Sequence, residues 1–90
     1  MSRDAGSFYI RVVDKHGYGV RGATVKCAYG SLSGVGTRYT DRDGWTEFTI
    51  VEELIGGGEI RIRAVRINGE QVSSHSFSPK DGETFSFTLP

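Results

Sequence analysis

The sequence has only one cysteine, Cys27, so it cannot form an internal disulfide and its fold cannot depend on oxidation. Two interpretations follow. The domain works in a reducing compartment, or it works outside the cell with a buried and inert thiol. Residues 1–7 contain no apolar segment of the kind that a signal peptide requires. No run approaches the roughly 20 apolar residues of a membrane span, so we expect no membrane insertion.

The chain also lacks a net charge, because its eleven basic and eleven acidic residues cancel. A neutral domain has no overall field to attract nucleic acid, so we expect no nucleic-acid partner. Thirteen glycines against two prolines indicate many turns. The length suits one domain, which we assign to residues 8–90, with residues 1–7 as a disordered leader or an artificial end. The stop at Pro90 after a strand pattern favours a module of a longer protein over a complete small one.

Alternating apolar and polar residues, with turn signals about every ten residues, predict seven strands. The predicted strands are 8–13, 23–29, 37–40, 45–50, 59–67, 70–77 and 83–89. Ala23, Val25 and Cys27 would face the core. We assign residues 30–36 to a loop and 51–58 to a crossover loop, and the alternative for residues 51–55 is a single helical turn that the following glycines would end. The fold class is therefore all-β, a seven-stranded antiparallel Greek-key β-sandwich of the Ig-like or prealbumin-like kind.

Asn68-Gly69 is the strongest hairpin signal, because both residues tolerate the positive φ of a type I′ turn. A two-residue turn predicts four opposite pairs: Ile67–Glu70, Val65–Val72, Ile62–His75 and Ile60–Phe77. The predicted core face holds Ile60, Ile62, Ala64 and Phe77. The predicted outer face holds Arg61, Arg63, Ser74 and Ser76.

Residues 41–44 predict a second hairpin, with Thr40 opposite Trp45 and an Arg38–Glu47 ion pair contributing about 0.2–1 kcal/mol. In this register Phe48 points inward and Trp45 outward. Tryptophan is costly to leave in water, is enriched at binding hot spots and stacks on sugar rings. Trp45 is therefore a candidate binding residue. The alternative is that the crossover loop or the leader covers it.

Three motifs resemble those of carboxypeptidase-regulatory-like domains, which are prealbumin-like (transthyretin-like) sandwiches. They are Ile10-x-Val12-x-Asp14-x-x-Gly17-x-x-Val20-x-Gly22-Ala23-x-Val25, Thr40-Asp41-x-Asp43-Gly44-x-x-x-Phe48 and Phe85-x-Phe87-x-Leu89. The resemblance covers residues 8 to 89. It departs from the family where Gly56-Gly57-Gly58-Glu59 replaces the usual aromatic residue. The resemblance implies an accessory module of an enzyme, a surface protein, a secretion or phage structural protein, or an outer-membrane receptor.

Two activities of similar sandwiches do not fit these residues. An internal isopeptide bond needs a lysine in the first strand, where this chain has Arg11, and an Asn or Asp acceptor in the last strand, which has none. The transthyretin-like purine-pathway hydrolase needs a terminal Tyr-Arg-Gly-Ser, and this chain ends Phe87-Thr88-Leu89-Pro90.

Few other residues have side chains that are suited to catalysis or to metal binding. We predict His16 in a turn, His75 near the inner face as a packing residue, and Cys27 as a buried spectator. Asp41 and Asp43 resemble the start of a calcium loop, but the further oxygen ligands are absent and the turn alone explains both residues. We therefore expect no metal, no cofactor and no enzyme activity.

The remaining candidates lie on surfaces. Arg61, Arg63 and Arg66 follow one strand, and arginine suits carboxylates, phosphates and sugar hydroxyls. The alternative interpretation is a solvated face that keeps the strand soluble. We predict a non-catalytic interaction or spacer module in a larger secreted, cell-surface or phage/virion-associated protein, with a protein or polysaccharide partner. The alternative is a carbohydrate-binding module that uses Trp45, and an enzyme or small-molecule function comes third.

Overall fold

Seven β-strands and no helix make up the part of the chain that the computed structural model describes, residues 4–29, 35–51, 61–73 and 75–89. The strands are β1 (Asp4–Val13), β2 (Thr24–Tyr29), β3 (Val35–Tyr39), β4 (Trp45–Val51), β5 (Ile62–Ile67), β6 (Glu70–Gln71) and β7 (Thr84–Thr88). Strand β1 starts before the predicted Phe8, and β6 ends well before the predicted Phe77. Most of the predicted loops 30–36 and 51–58 lies outside the described residues.

The strands form two sheets, which share one core as in a β-sandwich. One sheet has three strands in the order β4-β1-β7, and the other has four in the order β3-β2-β5-β6. Both sheets send apolar side chains into the core, which consists of Phe8, Ile10, Val12, Ala23, Val25, Cys27, Phe48, Ile62, Val65 and Ile67. The prediction that Ala23, Val25, Cys27 and Phe48 point inward is therefore confirmed.

A row of four phenylalanines joins the two sheets. Phe8 stacks on Phe48 with ring centroids 5.3 Å apart, and it meets the edge of Phe85 at 6.2 Å. Phe85 lies 4.8 Å from Phe77, which bridges to Ile62 of β5. The alternation predicted for the last strand is confirmed, because Phe85 is half-buried between exposed Thr84 and Ser86.

The predicted hairpin around residues 41–44 is wrong. Strand β3 pairs with β2 and β4 pairs with β1, so the chain changes sheets at this turn. Arg38 therefore does not face Glu47, and its guanidinium carbon lies 5.9 Å from the centroid of the Phe48 ring. The expectation of antiparallel pairing throughout is also wrong, because β1 and β7 run parallel.

Close backbone packing explains two glycines where the chain changes sheets. Gly44 has φ +87, and a Cβ there would overlap the Val12 carbonyl oxygen. A Cβ at Gly19 would overlap the carbonyl oxygen of Asp43. The Val12 amide donates to the Gly44 carbonyl at 2.8 Å, so this turn is bonded directly to β1.

A β-bulge in β5 changes the predicted pattern of inward and outward residues. The register of β2 with β5 is Cys27↔Val65, Ala28↔Ala64 and Tyr29↔Ile62. Arg63 is the extra residue, so Ile62 and Val65 both face the core although they are three positions apart. Ala64, predicted on the core face, is instead only half-buried and pairs with outward-facing Ala28.

The β5–β6 hairpin begins as predicted and then departs from the predicted register. Asn68 and Gly69 have φ values of +52 and +88, and Ile67 pairs with Glu70. Farther from the turn, Ile62 bridges to Phe77. The predicted Ile62–His75 pair is therefore wrong, and His75 is exposed.

Candidate binding surfaces

Two turns at one end of the sandwich use the same aspartate geometry. Asp41 Oδ1 accepts hydrogen bonds from the amides of Asp43 at 2.9 Å and Trp45 at 3.0 Å. These bonds, the one from Trp45 foremost, lower the pKa of Asp41. Asp14 Oδ1 accepts likewise from the amides of His16 and Tyr18. The Asp41 carboxylate is thus engaged by its own turn.

The outer face of the three-stranded sheet carries Trp45. The register places Trp45 beside Arg11 and Glu47 beside Tyr9, all pointing away from the core. We call these four residues the tryptophan face. Its β7 side presents only hydroxyl groups, those of Thr84, Ser86 and Thr88. Arg11 and Glu47 give the face balanced charge.

Arg11 covers the Trp45 ring. Its guanidinium carbon lies 5.7 Å from the ring centroid, within the range of a cation–π contact. The Arg11 Nε donates to the Asp43 carbonyl oxygen at 3.2 Å, which fixes the guanidinium in that position. Trp45 is half-buried. The outward position predicted for Trp45 agrees with the structure, and a side chain of β1 covers the ring.

The outer face of the four-stranded sheet carries the predicted arginines. Arg66 lies directly opposite Lys26 of β2, and both side chains are exposed. Arg63 is exposed at the bulge, and Arg61 is exposed and donates to Ser76 Oγ at 3.2 Å. Tyr39 of β3, which is 68% exposed, pairs with Thr24 on the same face. We call Lys26, Tyr39, Arg61, Arg63 and Arg66 the basic face.

The basic face has no carboxylate to balance its charge. In the described part of the four-stranded sheet, the positions that share a side with Lys26 and Arg66 hold basic, aromatic, alanine, valine, threonine and glutamine residues, and none is Asp or Glu. The exposed Glu70 of β6 is in register with core-facing Ile67, on the other side of the sheet. Like charges directly opposite on neighbouring strands destabilise a sheet. The Lys26–Arg66 pair therefore works against folding, in a domain with no net charge overall.

The structure separates the predicted site residues into two groups. Trp45 lies on the outer face of one sheet. Arg63 and Arg66 lie on the outer face of the other sheet, and Arg61 is exposed directly before its strand β5. Lys26 and Tyr39 were not predicted as site residues. The alternation in β2 signals that Lys26 points outward, but no local pattern signals that β2 lies beside β5.

The remaining reactive groups are isolated from one another. Burial raises the pKa of the Cys27 thiol to about 12, so Cys27 is not a thiolate at neutral pH. His16 and His75 are both exposed. Within the described ranges, no three His, Cys, Asp or Glu side chains are placed to hold a metal ion. Those same ranges contain no helix long and apolar enough to cross a membrane.

Comparisons with protein-family models, with curated proteins and with solved structures found no significant match to this chain. The resemblance to carboxypeptidase-regulatory-like domains therefore stays a prediction from the three sequence motifs.

Proposed function

We propose that this domain is a non-catalytic interaction module that binds its partner through the basic face. The observation that carries the proposal is the exposed Lys26–Arg66 pair on a face without a carboxylate. Departures from local stability rules are expected where a surface serves a function. We further propose a prealbumin-like Greek-key topology of the carboxypeptidase-regulatory-like kind, within a larger secreted, cell-surface or virion-associated protein.

The composition of the basic face supports binding over a purely spacer role. Arginine and tyrosine are enriched among the residues that dominate binding energy at interfaces. Three arginines and the exposed ring of Tyr39 lie on this one face. A spacer needs a soluble surface, and interspersed charges of both signs would supply that solubility without the repulsion between Lys26 and Arg66.

The environments of the reactive side chains support a non-catalytic role. Nucleophilic catalysis needs an activated group beside a base. Cys27 is buried with a raised pKa, and the Asp14 and Asp41 carboxylates accept hydrogen bonds from their own turns. The carbohydrate-binding alternative needs an open Trp45 ring, and the Arg11 guanidinium lies over that ring. We therefore favour the basic face over the tryptophan face.

Retention on immobilised polyglutamate and immobilised heparin tests the proposal at an ionic strength of about 0.15 M, where long-range effects are screened. We expect the wild type to be retained on at least one polyanion, and Arg61→Glu/Arg63→Glu to pass through both. Arg21→Glu/Arg42→Glu is the matched control, because it reverses two exposed charges outside the basic face. Equal retention of the two double variants, or no retention of the wild type, contradicts the proposal.

A further inference from the structure

The bulge in β5 is what gathers the basic residues onto one face. In a regular strand, residues an odd number of positions apart point to opposite faces. Arg63 and Arg66 are three positions apart, so regular pairing would place Arg66 on the core side. The extra residue at Arg63 brings both arginines to the outer face, next to Lys26. Bulges commonly re-aim side chains in this way beside functional sites.

The spacing of the arginines in β5 and directly before it defines the shape of a complementary ligand. Arg61 and Arg63 are two positions apart, which corresponds to about 6.6 Å along an extended chain. Carboxylates at alternate positions of an extended peptide have the same spacing. Arg66 lies farther along the same line, and Lys26 lies beside it at about 4.8 Å, the distance between neighbouring strands. Arg63 and Arg66 are three positions apart, but the bulge takes up one of these, so the two arginines span about two positions of β2 and the row of cations keeps roughly the two-residue repeat of a β-strand.

The donors on this row suit carboxylates. Arginine presents a planar fork that binds a carboxylate through two parallel hydrogen bonds. One Arg61 nitrogen is held by Ser76 Oγ at 3.2 Å, which orients the guanidinium and leaves its other donors free. Tyr39 adds an exposed aromatic ring to the same face. Such a ring can pack against the uncharged residues of a bound peptide.

We infer that the basic face binds an acidic peptide in an extended conformation, with carboxylates at alternate positions matching Arg61, Arg63 and the Lys26–Arg66 pair. This inference rests on the proposed function and names the chemistry of its partner. The carboxylates would supply the negative charge that the face lacks, so binding would relieve the repulsion between Lys26 and Arg66.

Two isomeric peptides test the inference. The first alternates serine and glutamate, and the second has the same composition with glutamates in adjacent pairs. If the basic face distinguishes the spacing of the carboxylates, the alternating peptide binds at least about threefold more tightly than the paired one in a fluorescence-anisotropy titration. We expect Arg63→Gln/Arg66→Gln to weaken its binding about tenfold and the control Arg21→Gln/Arg42→Gln to weaken it less than about twofold.

Other outcomes separate this inference from the proposed function. Equal affinity for both peptides overturns the alternate spacing that the inference assigns to the carboxylates. Binding to a heparin oligosaccharide of equal charge with neither peptide bound overturns an acidic peptide as the ligand. Both results leave the basic face as a binding surface, provided that Arg63→Gln/Arg66→Gln still weakens the interaction. Binding that the Arg21→Gln/Arg42→Gln control weakens as much as Arg63→Gln/Arg66→Gln does overturns both.

Discussion

The two outer faces of the sandwich contain similar residue types in opposite arrangements. On the tryptophan face, Arg11 lies over the Trp45 ring and bonds to the Asp43 carbonyl oxygen. On the basic face, Arg66 meets Lys26, and Tyr39 is left 68% exposed. An aromatic residue and an arginine thus stabilise the fold on one side and stay open to solvent on the other. The difference teaches that residue type alone does not locate a binding surface.

Removing the aromatic ring from each face should give the largest difference. We expect Trp45→Ala to lower the free energy of unfolding by about 2 kcal/mol, because a half-buried ring and its cation–π partner are lost. Tyr39→Ala should change it by less than about 0.5 kcal/mol. Urea denaturation of both variants measures the two effects. Equal losses would remove the distinction between the faces.

Removing the arginine from each face gives the next largest effect. Arg11→Gln should cost about 1 kcal/mol, because the cation–π contact and the hydrogen bond to Asp43 disappear. It should also make Trp45 emission red-shifted and more accessible to acrylamide. Arg66→Gln should cost nothing or raise stability slightly, because it removes repulsion from Lys26. A larger loss for Arg66→Gln than for Arg11→Gln would reverse the comparison.

A smaller effect, seen only in acid, is expected at the turn that precedes Trp45. The pKa of Asp41 is lowered in the folded state by hydrogen bonds from the Trp45 and Asp43 amides. A lowered pKa adds stability above the ordinary value, and that stability is lost as the pH falls through the folded value. Thermal unfolding of the wild type should therefore lose more stability in this acid range than Asp41→Asn does. Parallel pH profiles of the wild type and Asp41→Asn would show that the charge of the Asp41 carboxylate does not stabilise the fold.

The turn beside the basic face should show no such dependence on pH. Asn68 Oδ1, which carries no charge, accepts from the Thr24 amide at 2.9 Å. Asn68→Asp introduces a titratable acceptor at this position and should make stability depend on acid pH as it does at Asp41. If the stability of Asn68→Asp did not depend on acid pH, a carboxylate that accepts a backbone amide would not be enough to explain the pH dependence expected at Asp41.

The smallest effect concerns Lys26, where a substitution is expected to stabilise the fold, in the same direction as Arg66→Gln. Lys26→Glu turns a repulsive cross-strand pair into an attractive one, so it should raise the free energy of unfolding by about 0.5 kcal/mol. The same change should weaken binding of the alternating acidic peptide. Lys15→Glu, in the exposed turn of residues 14–17, is the control for the added negative charge. A destabilised Lys26→Glu would contradict the repulsion.

Much of the fold could be predicted because alternation is a local signal. Phe48 and Trp45 point as predicted, although the pairing used to place them was wrong, because neighbouring strand positions face opposite sides in either sheet. Asn68-Gly69 set the start of its hairpin correctly, because the turn needs only its own two residues. Features that depend on contacts within a few residues could therefore be predicted from the sequence.

The predictions that were wrong concern features that depend on distant parts of the chain. The five-residue connection between β3 and β4 does not reveal that the two strands join different sheets, because the choice depends on where β1 and β2 lie. The bulge at Arg63 is visible only against β2, so Ala64 was predicted to point inward. The Ile62–His75 pair assumed a regular ladder, but the returning segment takes two more residues before Phe77 bridges to Ile62. Lys26 belongs to the basic face because β2 lies beside β5, a pairing that no local pattern signals.

A double-mutant cycle on Lys26 and Arg66 tests the central claim most directly. The free energy of unfolding would be measured for the wild type, Lys26→Gln, Arg66→Gln and the double variant, at about 10 mM and about 1 M salt. The account predicts an unfavourable coupling of about 0.5 kcal/mol between the two side chains at low salt, which disappears at high salt. A coupling that is absent or favourable at low salt would show that the basic face is not maintained at a cost to folding.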